Sequence, residues 1–411
     1  MTVANPAAAR DASLDAWLRE HAEGLIAIRR NIHAHPELSG EEHATTELVS
    51  ERLALAGMSP RRLAVGTGLV CDLRADDADR AAGATSPMLA LRADLDALAM
   101  DDDKDVSYRS QVPGVAHACG HDVHTAVVLG TALYFSHHRD ELPGDLRFVF
   151  QPAEERVPGG AVDVISEHVL DDVDAMVGVH CAPKLETGTI GIRPGPITSA
   201  ADMAQIELSG PGGHTARPEL TADLVSIAAR VVTELPKRMA DASHDPTHVK
   251  VVFGALLAGD AANVVPSHCV MRASVRTPST ELWGSLPALF DQALADIVDG
   301  TGATYELAYT RGVPPVVNDE AMAAVVQRAG VAALGEGTVL EAEQSWGGDD
   351  FAWYTHEVPA AFIRLGTHDP ASTEPRLDLH AGHFDVDERA IALGVRVMVA
   401  TIHEYFADTA T

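Results

Sequence analysis

Between residues 197 and 312 the chain changes rhythm, and this change constrains its architecture more than any other feature. Strand-like runs MAQIELSG (203–210), HVKVVFGALLAG (248–259), SHCVMRASVRT (267–277) and ATYELAYT (303–310) are interleaved with two helical patterns, PELTADLVSIAARVVTELP (218–236) and TELWGSLPALFDQALADIV (280–298). The order β-α-β-β-α-β is the ferredoxin-like split pattern. Outside that block, short apolar runs MLALRADLDAL (88–98), DLRFVFQP (145–152) and AMVGVH (175–180) alternate with helices, among them VHTAVVLGTALYF (123–135) with Asp122 as a candidate N-cap. Strands separated by helices give an α/β layer with a mostly parallel central sheet. The chain is therefore expected to form an α/β catalytic domain from 1–196 and 313–411, with an inserted ferredoxin-like α+β lid domain at 197–312. Pro/Gly-rich RPGPIT (193–198) and RGVPPVVND (311–319) are suited to hinges at its two ends.

Composition narrows the function classes. With 60 Asp and Glu against 30 Lys and Arg, the net charge is −30, which repels phosphate backbones and anionic lipid. Nucleic-acid and membrane-surface roles are not expected, and DDDKD (101–105) and the Asp171–Asp172 pair are assigned to a solvated surface. No run approaches the roughly 18 apolar residues of a membrane span, and the first residues lack a signal-peptide pattern. Four scattered cysteines are too few for a disulfide framework. A cytoplasmic location is expected, which leaves Cys119 free as a thiolate.

The chemistry is concentrated in ordered fragments. HACGHDVH (117–124) puts Cys119 and His121 around a glycine that lets the backbone turn tightly, so both ligand atoms can face one point. Asp122 can receive a ring N–H from a ligand histidine. Glu154 and Glu155 directly follow the apolar run that ends in Pro152. Adjacent side chains at a strand end diverge, so one carboxylate can bind metal while the other faces a water within about 3 Å as general base. His180 closes AMVGV at what reads as a strand's carboxyl edge, where open α/β sheets gather their ligands. LHAGHFD (379–385) offers His380, favoured by spacing, and His383 as a bystander or alternative. Thiolate, imidazole and carboxylate donors together are the ligand set of a hydrolytic metal centre, and softness favours zinc.

In the inserted block, GPGGHTARPE (210–219) lets His214 project from a glycine-rich loop, from which it can stabilise an oxyanion. Asn263 and Arg276 are candidates for a substrate carboxylate, Arg276 through its bidentate fork. WGGDDFAWY (346–354) reads either as a pocket wall or as a loop leading into a helix.

These motifs, with HAHPELSGEE (33–42), LRADLDAL (91–98) and NVVP (263–266), occur in an order that resembles the metal-dependent amidohydrolases. That family includes bacterial aminoacylases, hippurate hydrolases and auxin–amino-acid conjugate hydrolases, relatives of the carboxypeptidase-G2-type dinuclear metallopeptidases. The resemblance implies two divalent metal ions (zinc or manganese, with cobalt or nickel also allowed) on Cys119, His121, Glu155, His180 and His380, the thiolate bridging. It implies Glu154 as general base, and Asp94 and Asp96 as supports of the metal shell. His214 becomes a substrate and oxyanion contact, in some relatives across a homodimer interface. The substrate implied is a small N-acyl amino acid whose amide bond is hydrolysed. A dipeptidase or carboxypeptidase on the same site, or a metal-dependent binding protein without catalysis, are the other readings. The chain departs from the family where DALP reads Asp96-Ala97-Leu98-Ala99, where HNP reads His380-Ala381-Gly382, and where the GSEDF-like segment reads GGDDF. These changes affect the pocket lining rather than the ligands.

Overall fold

The computed structural model describes residues 6–75, 87–243, 248–373 and 375–409. Two compact units emerge: residues Met1–Gly195, Val317–Glu343 and Trp353–Thr411 form the larger, and Pro196–Val316 with Gln344–Ala352 the smaller. Sequence placed 344–352 with the catalytic domain. Instead, backbone bonds Ser199 N→Gly347 O and Ser345 N→Ile197 O, both 2.9 Å, bind this segment to the start of the smaller unit.

The larger unit is built on an eight-stranded sheet. In spatial order the strands are Arg61–Arg62, Leu69–Leu73, Asp145–Gln151, Met88–Asp94, Ala175–Glu186, Ala360–His368, Ile190–Ile192 and Val339–Glu341. The four central strands run parallel, and Met88–Asp94 is buried along its whole length. A strand covered on both faces reads as an unbroken apolar run, which is why these segments were visible in the sequence. Antiparallel pairings join Leu69–Leu73 to its two neighbours and Ile190–Ile192 to Ala360–His368.

Helices Pro6–Ala34, His121–His137 and Arg389–Thr409 contribute to one core with this sheet. They approach closely because two contact points lack side chains. A Cβ on Gly130 would stand 2.8 Å from Leu25 and Val395, and one on Gly394 would stand 2.7 Å from Val127. Contrary to the sequence expectation, Arg389–Thr409 is long and apolar enough to pass for a membrane span, but 61% of its most apolar window is buried inside the protein. Asp319 caps helix Glu320–Leu334 by accepting from Met322 N at 2.9 Å.

The smaller unit carries an antiparallel sheet in the order Lys250–Ala258, His268–Thr277, Ala200–Ser209, Thr304–Thr310. Helices Leu224–Ala242 and Thr280–Val298 complete the ferredoxin-like arrangement, capped by Asp223 and Ser279. Asp202 is its buried polar hub, accepting from Trp283 Nε1 at 3.0 Å, Tyr309 Oη at 2.9 Å and Gly312 N at 2.9 Å. A carboxylate this deep is tolerable because its lone pairs are met by donors.

Candidate metal centre and active site

The parallel strands deliver the candidate ligands to one edge of the larger unit. Strand Met88–Asp94 leads to Asp96, and Asp145–Gln151 leads to Glu154 and Glu155. His180 does not end its strand as expected, because Ala175–Glu186 runs on past it. The register Arg92↔Gly178 brings Asp94, the end of the neighbouring strand, level with His180. His180 therefore still reaches the edge.

Asp96 organises the two glutamates. Its carboxylate accepts from Glu154 N at 3.1 Å, from Glu155 N at 3.0 Å and from Ser39 Oγ at 2.6 Å. Burial works to raise its pKa, but these bonds and the adjacent His121 hold it below the usual carboxylate range. Glu42 acts similarly from the HAHPELSGEE segment: its Oε1 accepts from Gly40 N at 2.7 Å and from Ala153 N at 2.8 Å. That bond steadies the turn at Ala153, whose φ is +57°.

Helix His121–His137 begins directly at a candidate ligand. Its N-cap is Gly120 at φ 93°, so Asp122 lies in the first turn and is not the cap. Glycine is required there by space as well as by φ, because a Cβ would meet Cys181 Sγ at 2.7 Å.

Around this turn the ligand atoms converge. Cys119 Sγ lies 3.5 Å from His180 Nε2, His380 Nε2 lies 3.3 Å from Glu155 Oε1, and His121 Nε2 lies 3.9 Å from both Glu154 Oε2 and Glu155 Oε1. The sets Cys119–His121–His180, Cys119–Glu155–His380 and His121–Glu154–Glu155 each bring one ligand atom per residue within 4.8 Å of one another. His380 stands on a loop at φ 59°, its amide bonded to Ala118 O at 2.8 Å. His383 is exposed and belongs to none of these sets.

The donor set fits bound divalent ions. His121 Nδ1 donates to Asp96 O at 2.9 Å and His180 Nδ1 to Cys181 O at 2.8 Å, which turns each Nε2 towards the cluster. Such partners fix tautomer and ring orientation in metal sites. His121 Nε2 and Glu155 Oε1 are buried yet have no hydrogen-bond partner among the described residues. Leaving such atoms unmet costs about 1–3 kcal/mol each, a penalty that a cation removes. Burial pushes the Cys119 thiol up and holds His180 neutral. Asp94 is buried, which works against its charge, yet Arg92, His121 and His124 keep its carboxyl well below the usual range.

Two expectations near the site need correction. Asp122 receives no ligand imidazole: it accepts from Arg29 Nε at 2.6 Å and from His33 Nδ1 at 2.7 Å. In DDDKD, Asp102 and Lys104 are buried rather than solvated, and they pair at 2.9 Å. Alternation explains this, since Asp101, Asp103 and Asp105 face out. Sequence reading also passed over Arg29 and His124, both fully embedded among charged partners. An arginine or histidine within an apolar helical pattern was the available signal.

The smaller-unit candidates do not all meet. Strand Gly213–His214 pairs with Val264–Val265, so exposed His214 lies beside Asn263, whose carbonyl accepts from Thr215 N at 3.3 Å. His214 Nδ1 accepts from Ala216 N at 3.0 Å. This two-stranded pairing adjoins the His268 end of strand His268–Thr277, whereas Arg276 is eight residues along it, about 26 Å away at 3.3 Å per residue. Arg276 donates to Trp346 O at 2.7 Å and to Ser274 Oγ at 3.1 Å. Asp350–Trp353 forms a short 3-10 turn leading into helix Tyr354–Glu357, the loop-then-helix reading of WGGDDFAWY.

Mostly parallel strands, an inserted ferredoxin-like unit and a thiol–imidazole–carboxylate cluster define a metal-dependent hydrolase. The chain belongs to peptidase family M20/M25/M40, whose model matches residues 90–404. It is 30% identical to a dinuclear metal-binding peptidase of the M20 family from Bacillus subtilis, with a TM-score of 0.81 over 95% of this chain and 99% of that one. An N-acyl-L-amino acid amidohydrolase of Geobacillus stearothermophilus is 39% identical over 72% of this chain and 78% of its own length. A longer Rhodococcus jostii protein, named for a glutamate–cysteine ligase, is 43% identical over 92% of this chain, which spans only 46% of that protein's length.

Proposed function

We propose that the protein hydrolyses the amide bond of N-acyl amino acids or similar small conjugates. The observation that carries this reading is the pair Glu154 and Glu155, both amides anchored on Asp96, with side chains that border the same cluster of imidazoles. Cys119, His121, Glu155, His180 and His380 would hold two divalent ions, zinc or manganese, with cobalt or nickel also compatible. When bound, such ions polarise a carbonyl and bring a water towards a pKa near 7.

Glu154 then serves as general base. Its carboxylate takes a proton from the attacking water and returns it to the nitrogen of the departing amine, so that the C–N bond breaks without releasing an anionic amide. Asp96 keeps Glu154 and Glu155 apart in role by fixing their amides, and Asp94 and Asp96 support the ligands. His214 is assigned to the substrate's oxyanion, and Asn263 and Arg276 to its carboxylate. Since one smaller unit holds these residues at opposite ends of a strand, their joint use calls for a homodimer. The edge strand Lys250–Ala258, with Val252 56% and Leu257 61% exposed, supports one. Sedimentation of the wild type against Val252→Lys/Leu257→Lys tests it, and a monomeric wild type contradicts it. The four free cysteines suit the cytoplasm.

The deciding experiment is a hydrolysis panel of N-acetyl and N-benzoyl amino acids beside free-amine dipeptides. Faster turnover of the acylated compounds is expected. Exclusive cleavage of free-amine dipeptides would replace this reading with a dipeptidase, and binding without any product would replace it with a non-catalytic protein.

A further inference from the structure

The helix that begins at His121 carries a second buried imidazole one turn on, which the mechanism above leaves unused. His124 is fully buried, its ring centroid 5.4 Å from that of His121 and 4.9 Å from that of His180. Atoms of Asp94, His121 and His124 fall within 4.8 Å of one another, so distance alone admits His124 as a further metal ligand.

Its hydrogen bonds exclude that role. The Cys181 amide donates to His124 Nε2 at 2.8 Å. The ring proton is therefore on Nδ1, which donates to Asp94 Oδ1 at 2.6 Å. Both nitrogens are committed and no lone pair is left for a cation. His121 differs, since its Nε2 has no such partner among the described residues.

The ladder between strands Met88–Asp94 and Ala175–Glu186 ends at the pair Arg92↔Gly178. Beyond it, the amide of Cys181 has no backbone acceptor on that side among the described residues and without His124 would be a buried orphan. His124 takes the place of the missing strand. The far side of this strut is itself fixed: Asp94 is held by Arg92, and its carbonyl accepts from Thr125 Oγ1 at 2.9 Å. The Cys181 carbonyl in turn accepts the Nδ1 proton of His180.

We infer that His124 is a positioning residue: it replaces a strand partner for the Cys181 amide, fixes the 180–181 peptide and so aims His180 Nε2 at Cys119 Sγ. The inference rests on His180 being a metal ligand. Asparagine and glutamine separate the two halves of the strut. An Asn amide falls where Nδ1 was and keeps the bond to Asp94, whereas a Gln amide reaches the place of Nε2 and keeps the acceptor for Cys181.

The test is zinc titration of stripped wild-type, His124→Gln and His124→Asn protein, alongside thermal melting of each metal-free form. Wild type and H124Q should each bind two equivalents with similar affinity. H124N should hold one equivalent tightly and the other about 10–100-fold more weakly, the usual loss for an outer-shell partner. A merely structural role would lower the melting temperature of both variants without separating their zinc affinities, and that result overturns the inference. So does H124N binding like wild type, or H124Q losing an equivalent, a result that decides the matter even if H124N does not fold. Fewer than two equivalents in wild type overturns the site reading itself, a failure distinct from failure of the strut.

Discussion

Arg29 Nε lies 2.6 Å from Asp122 Oδ2, with each side chain 1% exposed, so the first helix is ionically bonded to the residue that follows His121. The same guanidinium reaches Asp385 and Glu388 at 3.2 Å, beyond the His380 loop. One cation thereby ties together three separated segments around the metal centre. Burial acts against both charges, but Arg29 and His33 hold Asp122 well below the carboxylate range, and the surrounding carboxylates raise Arg29 above its ordinary value.

Removing Arg29 leaves the buried Asp122 carboxylate without its cation and with His33 as its remaining side-chain donor. Arg29→Met is expected to destabilise the metal-free protein by about 3–5 kcal/mol, and the double change Arg29→Met/Asp122→Leu by clearly less. Urea unfolding of both variants checks this. Equal losses would show that the cost lies in packing and not in the abandoned carboxylate.

Glu154→Gln keeps size and packing but removes the proposed base. Turnover should fall by about 10²–10⁴-fold, with metal content unchanged, since Glu154 is not assigned as a ligand. Parallel kinetics and elemental analysis separate the two effects. A variant that loses metal and activity together would move Glu154 into the ligand set.

Gly120→Ala tests the turn that joins the two candidate ligands of CGH. The left-handed backbone and the 2.7 Å approach to Cys181 Sγ both oppose a methyl group. The expected cost is about 2–4 kcal/mol, with weakened metal retention. Gly57→Ala, also at positive φ but with nothing within 4 Å, should cost less and leave metal binding intact.

His403 in the C-terminal helix makes stability depend on pH. Burial pushes its pKa down to about 4, and its Nε2 has no hydrogen-bond partner among the described residues. Between its unfolded value near 6.5 and about 4, the unfolded chain binds a proton that the folded chain does not. Its contribution is therefore intact above pH 6.5 and drains away as pH falls through that window. His403→Phe should reduce the loss between pH 7 and pH 5 by on the order of 1 kcal/mol. Identical pH profiles for the two proteins would contradict the assignment.

Legibility in the sequence followed burial and periodicity. Met88–Asp94 and Asp145–Gln151 were visible because both faces are covered, and the split β-α-β-β-α-β order emerged because its helices and strands keep clean periods. The short pairing of Arg61–Arg62 with Leu69–Leu73 was not visible, since its first strand is exposed and basic and carries no apolar pattern. Cys119, His121, Glu155, His180 and His380 were legible as an ordered set of donor types. The strut of His124 and the anchor of Arg29 were not, because their roles depend on partners such as Asp94 and Cys181 that only folding brings near. Asp122 shows the same limit: its type was read correctly as a hydrogen-bond acceptor, but its donors came from a helix some ninety positions away.

The most direct test of the account is anomalous diffraction from crystals of the wild-type protein loaded with zinc. Two peaks per chain are predicted among Cys119, His121, Glu155, His180 and His380, with Glu154 bound to neither. A single peak, or one seated on His124 and Asp94, would contradict it.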